Sequence, residues 1–140
     1  MKSIMKKILV IALVLIFVIT GVFLFINKLL GEKKINPQTK TFGRVDVVVT
    51  PKQVSTSKPV VFELSLNNHA INLDYNFRDI VKLTDIKGNT YKAISWTGGS
   101  GGHHVDGEIS FEPLKKNARN INLSLQGIDG VTDSFSFSIN

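Results

Sequence analysis

Nineteen consecutive residues near the start of the sequence, from Ile8 to Ile26, carry no charge. A helix rises about 1.5 Å per residue, so this run would span about 28 Å, close to the hydrocarbon thickness of a bilayer. A cleaved signal peptide has a shorter apolar region, of about 7–15 residues, followed by small residues at a cleavage site. The residues that follow this run offer no such site. The sequence therefore predicts an uncleaved transmembrane anchor over residues 8–30.

Lysines flank the apolar run on both sides, so the positive-inside rule does not decide its orientation. They are Lys2, Lys6 and Lys7 before the run and Lys28, Lys33 and Lys34 after it. A short tail before a first apolar segment is typical of a signal anchor, which predicts residues 1–7 in the cytoplasm and the remaining chain outside it, at the cell membrane. The chain has no cysteine, which excludes a lipoprotein anchor.

The net charge of +6 belongs entirely to the first 41 residues, which hold seven lysines and one glutamate. Residues 42–140 hold ten basic and ten acidic residues. A nucleic-acid-binding domain carries a basic patch on its folded part, so this balance argues against nucleic acid as a partner. The polar, proline-containing residues 31–41 predict a linker. The folded domain is then expected to cover residues 42–140.

Apolar and polar residues alternate with a period of two after Phe42, a pattern typical of half-buried strands. The regular segments are residues 45–49, 60–67, 121–126 and 134–139, and less regular candidates are residues 79–84, 90–96 and 108–111. Turn residues separate the segments, and no helical period follows the anchor. About seven short strands predict an antiparallel β-sandwich of immunoglobulin-like type, with a Greek-key barrel as the alternative.

The segment SWTGGSGGHHVDG, from Ser95 to Gly107, contains the chain's only tryptophan, two of its three histidines and five of its eleven glycines. Its G-x-S-x-G pattern lacks the strand–turn–helix setting in a large α/β sheet that a nucleophile elbow requires. The same run lacks the lysine and the helix that close a P-loop. The acidic residues are scattered, which gives no support for a paired-carboxylate site. We therefore expect a domain that is not an enzyme.

Three histidines, His69, His103 and His104, are candidate metal ligands, because imidazole is the commonest metal ligand near neutral pH. Neighbouring residues of a regular strand point to opposite faces, but a glycine-rich loop relaxes that restriction. Imidazole ligands without cysteine favour copper or zinc. The carboxylates that could add oxygen ligands are Asp74, Asp106 and Glu108.

Two other interpretations of this segment remain open. In the structural one, Trp96 closes one end of the core, the glycines let the backbone pass close to it, and the histidines hydrogen-bond the loop to itself or to Asp106. In the other, Trp96, Gly101, Gly102 and Asp106 form an interaction surface for a membrane or envelope protein. We take a binding module as the expected function and a copper or zinc domain as the alternative.

A longer pattern surrounds these residues and covers roughly residues 62–111. It consists of Trp96-x-Gly98, Gly101-Gly102-His103-His104-x-x-Gly107-x-Ile109-x-Phe111, and the upstream His69, Leu73-Asp74-Tyr75 and Gly88-Asn89-x-Tyr91. The pattern resembles that of uncharacterised prokaryotic exported and membrane-anchored domains. The resemblance implies that the three histidines form one constellation.

Overall fold

The computed structural model of this chain describes residues 2–29 and 35–139. The chain divides into two compact units, with the boundary between Lys34 and Ile35. Part of the predicted linker, residues 31–34, lies outside the described residues, as does Leu30 at the end of the predicted anchor.

The first unit is a single helix, α1 (Lys2–Leu29), of 28 residues. Its stretch Ile4–Phe25 has a mean hydropathy of 3.3 and is long and apolar enough to span a membrane or to serve as a signal sequence. The Thr20 hydroxyl, one of two interruptions of the apolar run, donates to Ile16 O at 2.8 Å within the helix. Its polar group is thereby satisfied locally. The prediction of one apolar N-terminal helix is confirmed.

Nine strands and one short helix form the second unit in residues 35–139. They are β1 (Gln38–Phe42), β2 (Val45–Gln53), β3 (Val60–Asn67), α2 (Phe77–Ile80), β4 (Val81–Asp85), β5 (Thr90–Tyr91), β6 (Ala93–Trp96), β7 (His104–Phe111), β8 (Asn120–Ile128) and β9 (Val131–Ser138). One antiparallel sheet has the order β1-β2-β3-β7-β6 and the other β5-β4-β8-β9. The prediction of a mostly β domain is confirmed.

The two sheets share one apolar core, because alternate residues of each strand point to the same side. Phe62 of β3 lies 5.5 Å from Phe137 of β9, ring centre to ring centre, which joins the two sheets directly. Phe42 of β1 stacks on Phe135 of β9 at 5.9 Å. These four side chains are at most 1 % exposed. The core therefore lies between the sheets and fixes the register of both.

Several predicted boundaries are wrong in detail. β1 begins at Gln38, inside the predicted linker, because a polar edge strand shows no apolar alternation. The predicted strand 90–96 is two strands in different sheets, since the chain crosses between them at Lys92. The predicted strand 79–84 begins at Val81, after the short helix α2. His104 is the first residue of β7, not part of the loop.

Antiparallel pairing gives the domain two ends. Asn67 at the end of β3 pairs with His104 at the start of β7, whereas Val60 pairs with Phe111 at the opposite end. We call the first end the histidine pole: residues 43–44, 68–76, 97–103 and 129–130, with the strand ends Asn67 and His104. We call the other end the basic pole: residues 54–59, 86–89 and 112–119.

Candidate functional site: the histidine pole

Two loops of the histidine pole, residues 68–76 and 97–103, are held together by backbone hydrogen bonds. Asn68 N donates to His103 O at 2.9 Å, Leu73 N donates to Gly102 O at 2.8 Å, and Gly101 N donates to Leu73 O at 2.9 Å. The left-handed backbone at Gly101 (φ 87°) and Gly102 (φ 77°), which glycine adopts without strain, turns these groups toward the neighbouring loop. The glycine-rich segment is therefore a fixed loop.

Two asparagines complete this connection. The amide of Asn68, only 4 % exposed, accepts from Ala70 N at 2.8 Å and Ile71 N at 2.7 Å and donates to His103 O at 3.2 Å. Asn72 Oδ1 accepts from Gly102 N. The sequence interpretation overlooked both residues, although asparagine after a strand is a signal for such a turn.

His103 and His104 each use Nδ1 to bond an oxygen of the segment 67–72. His103 Nδ1 lies 2.9 Å from Ile71 O, and His104 Nδ1 lies 2.7 Å from Asn67 Oδ1. A carbonyl oxygen only accepts, so Nδ1 carries a hydrogen in both rings, and the lone pair of the neutral form of each ring is on Nε2. Asn67 Nδ2 donates to Ser65 Oγ at 3.2 Å, which agrees with that amide orientation.

The structure brings two of the three predicted metal ligands together. The rings of His69 and His104 are 5.9 Å apart and nearly perpendicular, whereas His103 is engaged with Ile71. Within residues 2–29 and 35–139, no group of three or more histidine, cysteine or acidic side chains is arranged to hold a metal ion. Asp74, Asp106 and Glu108 are exposed.

Trp96 and two glycines form the support beneath the loop. The indole of Trp96 is half-buried, stacks on Phe77 of α2 at 4.5 Å and donates from Nε1 to Gly99 O at 3.0 Å. A β-carbon at Gly98 would lie 2.7 Å from Trp96 Cε2, and one at Gly107 would lie 2.7 Å from Trp96 Cη2. Only glycine fits at such distances. His103 and His104 bond to residues 67–72, whereas the structural interpretation of the sequence expected bonds within the loop or to Asp106.

The turns 43–44 and 129–130 complete the histidine pole through one ion pair. Asp129 accepts from Arg44 Nη2 at 2.7 Å and from Arg44 Nε and N at 2.9 Å each, and its own N–H donates to Tyr75 Oη at 3.1 Å. Hydrogen bonds from Arg44 lower the pKa of Asp129 to about 2. Because these two residues are 85 positions apart, no local signal in the sequence predicts their pairing.

A groove of about 410 Å³ lies elsewhere on the domain and is lined by residues of α2, β4, β5 and β6. Its charged lining residues are Arg78, Asp79, Lys82, Lys92 and Glu112. None of the site residues expected from the sequence lines it.

The histidine pole offers imidazole, amide and carboxylate groups on loops that hydrogen bonds hold in place. Such groups can bind a partner through hydrogen bonds or a metal through the Nε2 lone pairs. No family model matches the chain, and neither a curated protein nor a solved structure matches it.

Proposed function

We propose that this protein is a membrane-anchored binding module. Helix α1 stays in the membrane, and the β domain lies outside the cytoplasm and presents the histidine pole to a membrane or envelope protein. The 22 residues Ile4–Phe25, with a mean hydropathy of 3.3, support the anchor. The resemblance to prokaryotic exported domains is in line with this location.

The domain is, in this proposal, an immunoglobulin-like β-sandwich. The order β2-β3-β7-β6 corresponds to strands A-B-E-D of that fold, and β5-β4-β8-β9 corresponds to C′-C-F-G. In this correspondence, the loops of the histidine pole are the B–C, D–E and F–G connections. Antibody variable domains bind through B–C and F–G loops at this end. This likeness to antibody domains is an analogy of folds, and the hydrogen-bonded loops of the histidine pole support the proposal independently of it.

The observation that carries the proposal is that exposed polar side chains lie on loops that are already fixed. His103, exposed at the surface, is held through Nδ1 by Ile71 O, and its own carbonyl is held by Asn68. A preordered surface loses less conformational entropy on binding. Asp106, which follows His104 on the same face of β7, adds an exposed carboxylate. Trp96, Gly101 and Gly102 would act by holding this surface in shape.

Site-specific photo-crosslinking in cells that make the protein tests this proposal. A photoreactive residue at Ser100, exposed at the histidine pole, should give a discrete crosslinked species of higher mass. The matched position is Thr56, exposed at the basic pole. Equal crosslinking at both positions, or crosslinking at Thr56 alone, would contradict the proposal.

The anchor and its orientation are tested separately. The mature protein should retain the mass of the full chain, and a reporter fused to the C-terminus should be active only outside the cytoplasm. A mature chain without α1, or activity of a cytoplasm-only reporter, would show that this part of the proposal is wrong.

The second candidate function is copper or zinc binding, which the proximity of His69 and His104 favours. Hydrogen bonding of the His104 Nδ1 fixes its ring and leaves Nε2 as the ligand atom, as in many metal sites. A hundredfold excess of metal over Kd would stabilise the fold by about 2.7 kcal/mol.

Thermal melts of the full chain in detergent, with copper, zinc or chelator, test the metal site. His69→Ala and His104→Ala should each abolish the metal-dependent rise in Tm. A third variant, His103→Ala, asks whether the site needs all three histidines. A wild-type Tm that no metal changes would rule out this second function.

A further inference from the structure

The basic pole is a single surface, because three loops are bonded to one another there. Leu114 N donates to Ser55 O at 2.9 Å, which joins residues 112–119 to residues 54–59. Lys115 Nζ donates to Asn89 Oδ1 at 2.6 Å, and Lys115 N donates to Tyr91 Oη at 3.3 Å. These two bonds join residues 112–119 to β5 and the β4–β5 turn.

Five exposed cations lie on these loops. They are Lys58, Lys87, Lys115, Lys116 and Arg119. Among residues 2–29 and 35–139, the ion pairs are those of Lys40, Arg44 and Lys52, so none of the five takes part in one. The nearby carboxylates are Asp85, which is buried and receives hydrogen bonds from Asn89 and Tyr91, and Glu112. The surface is therefore strongly positive.

The charges of this neutral domain are thus separated. The loops of the histidine pole contain two carboxylates, Asp74 and Asp129, and one cation, Arg44, which is paired with Asp129. The excess of positive charge in the described part of the domain lies at the opposite end. The balance of zero over residues 42–140 conceals this separation.

The chain also enters the domain from the side of the basic pole. β1 pairs with β2 from Gln38, opposite Val49, to Phe42, opposite Val45, and so runs toward the histidine pole. Residues 30–34, which connect α1 to the domain in sequence, include Lys33 and Lys34. Residues 35–37, the first described residues of the domain, therefore lie toward the same end as the positive surface.

We propose that the basic pole binds the anionic headgroups of the bilayer that holds α1. This inference rests on the proposed retention of that helix. Lysine and arginine near a membrane surface are attracted to anionic lipids, and the attraction acts within one Debye length, about 8 Å at physiological ionic strength. The histidine pole, at the opposite end of the domain, would then stay free for the partner.

The experiment uses the absence of cysteine from the chain. Thr56→Cys at the basic pole and Ser100→Cys at the histidine pole each give one position for a fluorescent label. The labelled full chain is placed in lipid nanodiscs of phosphatidylcholine alone, or of phosphatidylcholine and phosphatidylglycerol in equal parts. Both contain a lipid with a nitroxide quencher on its headgroup.

Quenching of the label at residue 56 should rise about twofold when phosphatidylglycerol is present, because the positive pole is drawn to the surface. About 1 M NaCl, which shortens the Debye length to about 3 Å, should reverse this rise. The label at residue 100 should show no such change. Equal quenching at residue 56 in both lipids would overturn the proposal and leave the positive pole to another partner, such as an acidic protein.

Charge variants identify the residues responsible. The combined changes Lys58→Gln, Lys87→Gln, Lys116→Gln and Arg119→Gln should abolish the effect of phosphatidylglycerol. The control combines Arg78→Gln and Lys82→Gln, which line the groove and lie on no loop of the basic pole, and should retain it. Loss in both variants, or in neither, would contradict the proposal. The salt response of the unaltered chain provides a test that does not depend on the folding of a variant. The full chain placed in the nanodiscs contains the helix. Cleavage of the helix in cells would therefore refute the proposed anchor without changing the quenching result.

Discussion

The two poles of the β domain are fixed by the same device with different chemistry. Each is held by one of the two buried polar residues in the described part of the chain: Asn68 in the histidine pole, and Asp85, the last residue of β4, beside the basic pole. Both accept backbone hydrogen bonds from the loop that follows. Asn68 is neutral, whereas Asp85 is ionised. At each pole a buried acceptor holds the loop in place. The charge of that acceptor decides whether pH affects the loop.

The histidine pole differs in a second respect, which is the contact between glycine backbone and Trp96. We expect Gly107→Ala to have the largest effect, a loss of about 3 kcal/mol in the free energy of unfolding, because a new side chain in a filled space strains the core. Its β-carbon would lie 2.6 Å from Gly98 N, a backbone atom that cannot move aside readily.

Denaturant unfolding checks this prediction, with Gly99→Ala as the control, because a β-carbon at Gly99 would meet no atom within 4 Å. If both variants lost the same stability, the close contact with Trp96 would not be the reason for glycine at position 107.

Removing the neutral acceptor should have the next largest effect. Asn68→Ala leaves the partly buried N–H groups of Ala70 and Ile71 without their acceptor. Each lost hydrogen bond costs about 1 kcal/mol, so we expect a loss of about 2 kcal/mol. Thermal or denaturant unfolding measures the loss. The comparison variant is Asn117→Ala, at an exposed position of the basic pole. Unchanged stability of Asn68→Ala would show that water replaces the amide and that the loop is held by its backbone bonds.

The ionised acceptor should make the basic pole sensitive to acid. Burial opposes the ionisation of Asp85, but hydrogen bonds from Asn89, Tyr91 and Lys87 outweigh it and lower its pKa to about 2. The unfolded value is about 3.9. A group whose pKa is lowered by folding stabilises the fold above its unfolded pKa, so this contribution is lost as pH falls from about 4 through about 2.

Thermal melts between pH 5 and 2 of the wild type and Asp85→Asn test this dependence. The difference in Tm between them should be largest at pH 5 and shrink toward pH 2. Asp106→Asn removes an exposed carboxylate and serves as the control. A difference that stays constant over this range would mean that the charge of Asp85 contributes nothing to the pole.

The smallest effect is expected for the histidine at the surface. His103→Ala removes one exposed hydrogen bond, to Ile71 O, and should cost about 0.5 kcal/mol. The His69 side chain makes no hydrogen bond among the described residues. His69→Ala should therefore lower the free energy of unfolding by less than His103→Ala in the absence of metal. Hydrogen exchange of the Gly101 and Gly102 amides should report the loosening. Unchanged exchange in His103→Ala would assign the order of the loop to Asn68 and the backbone bonds alone.

Much of the fold could be predicted because its signals are local. The alternation in residues 45–49, 60–67, 121–126 and 134–139 coincides with β2, β3, β8 and β9. The polar strand β1 and the division of residues 90–96 between two sheets could not be predicted, because pairing with a neighbour, not the residues' own pattern, makes them strands.

At the candidate site, the sequence shows that a tryptophan, several glycines and two adjacent histidines share one segment. What each of these residues contacts follows only from the folded domain. Trp96 packs on Phe77 and contacts the backbone at Gly98 and Gly107. His104 was brought beside His69, and the cations of three separate loops were gathered at one end. Strand patterns depend on neighbours along the chain, so the sequence reveals them. Loop contacts and charged surfaces depend on residues that only the packing of the two sheets brings together.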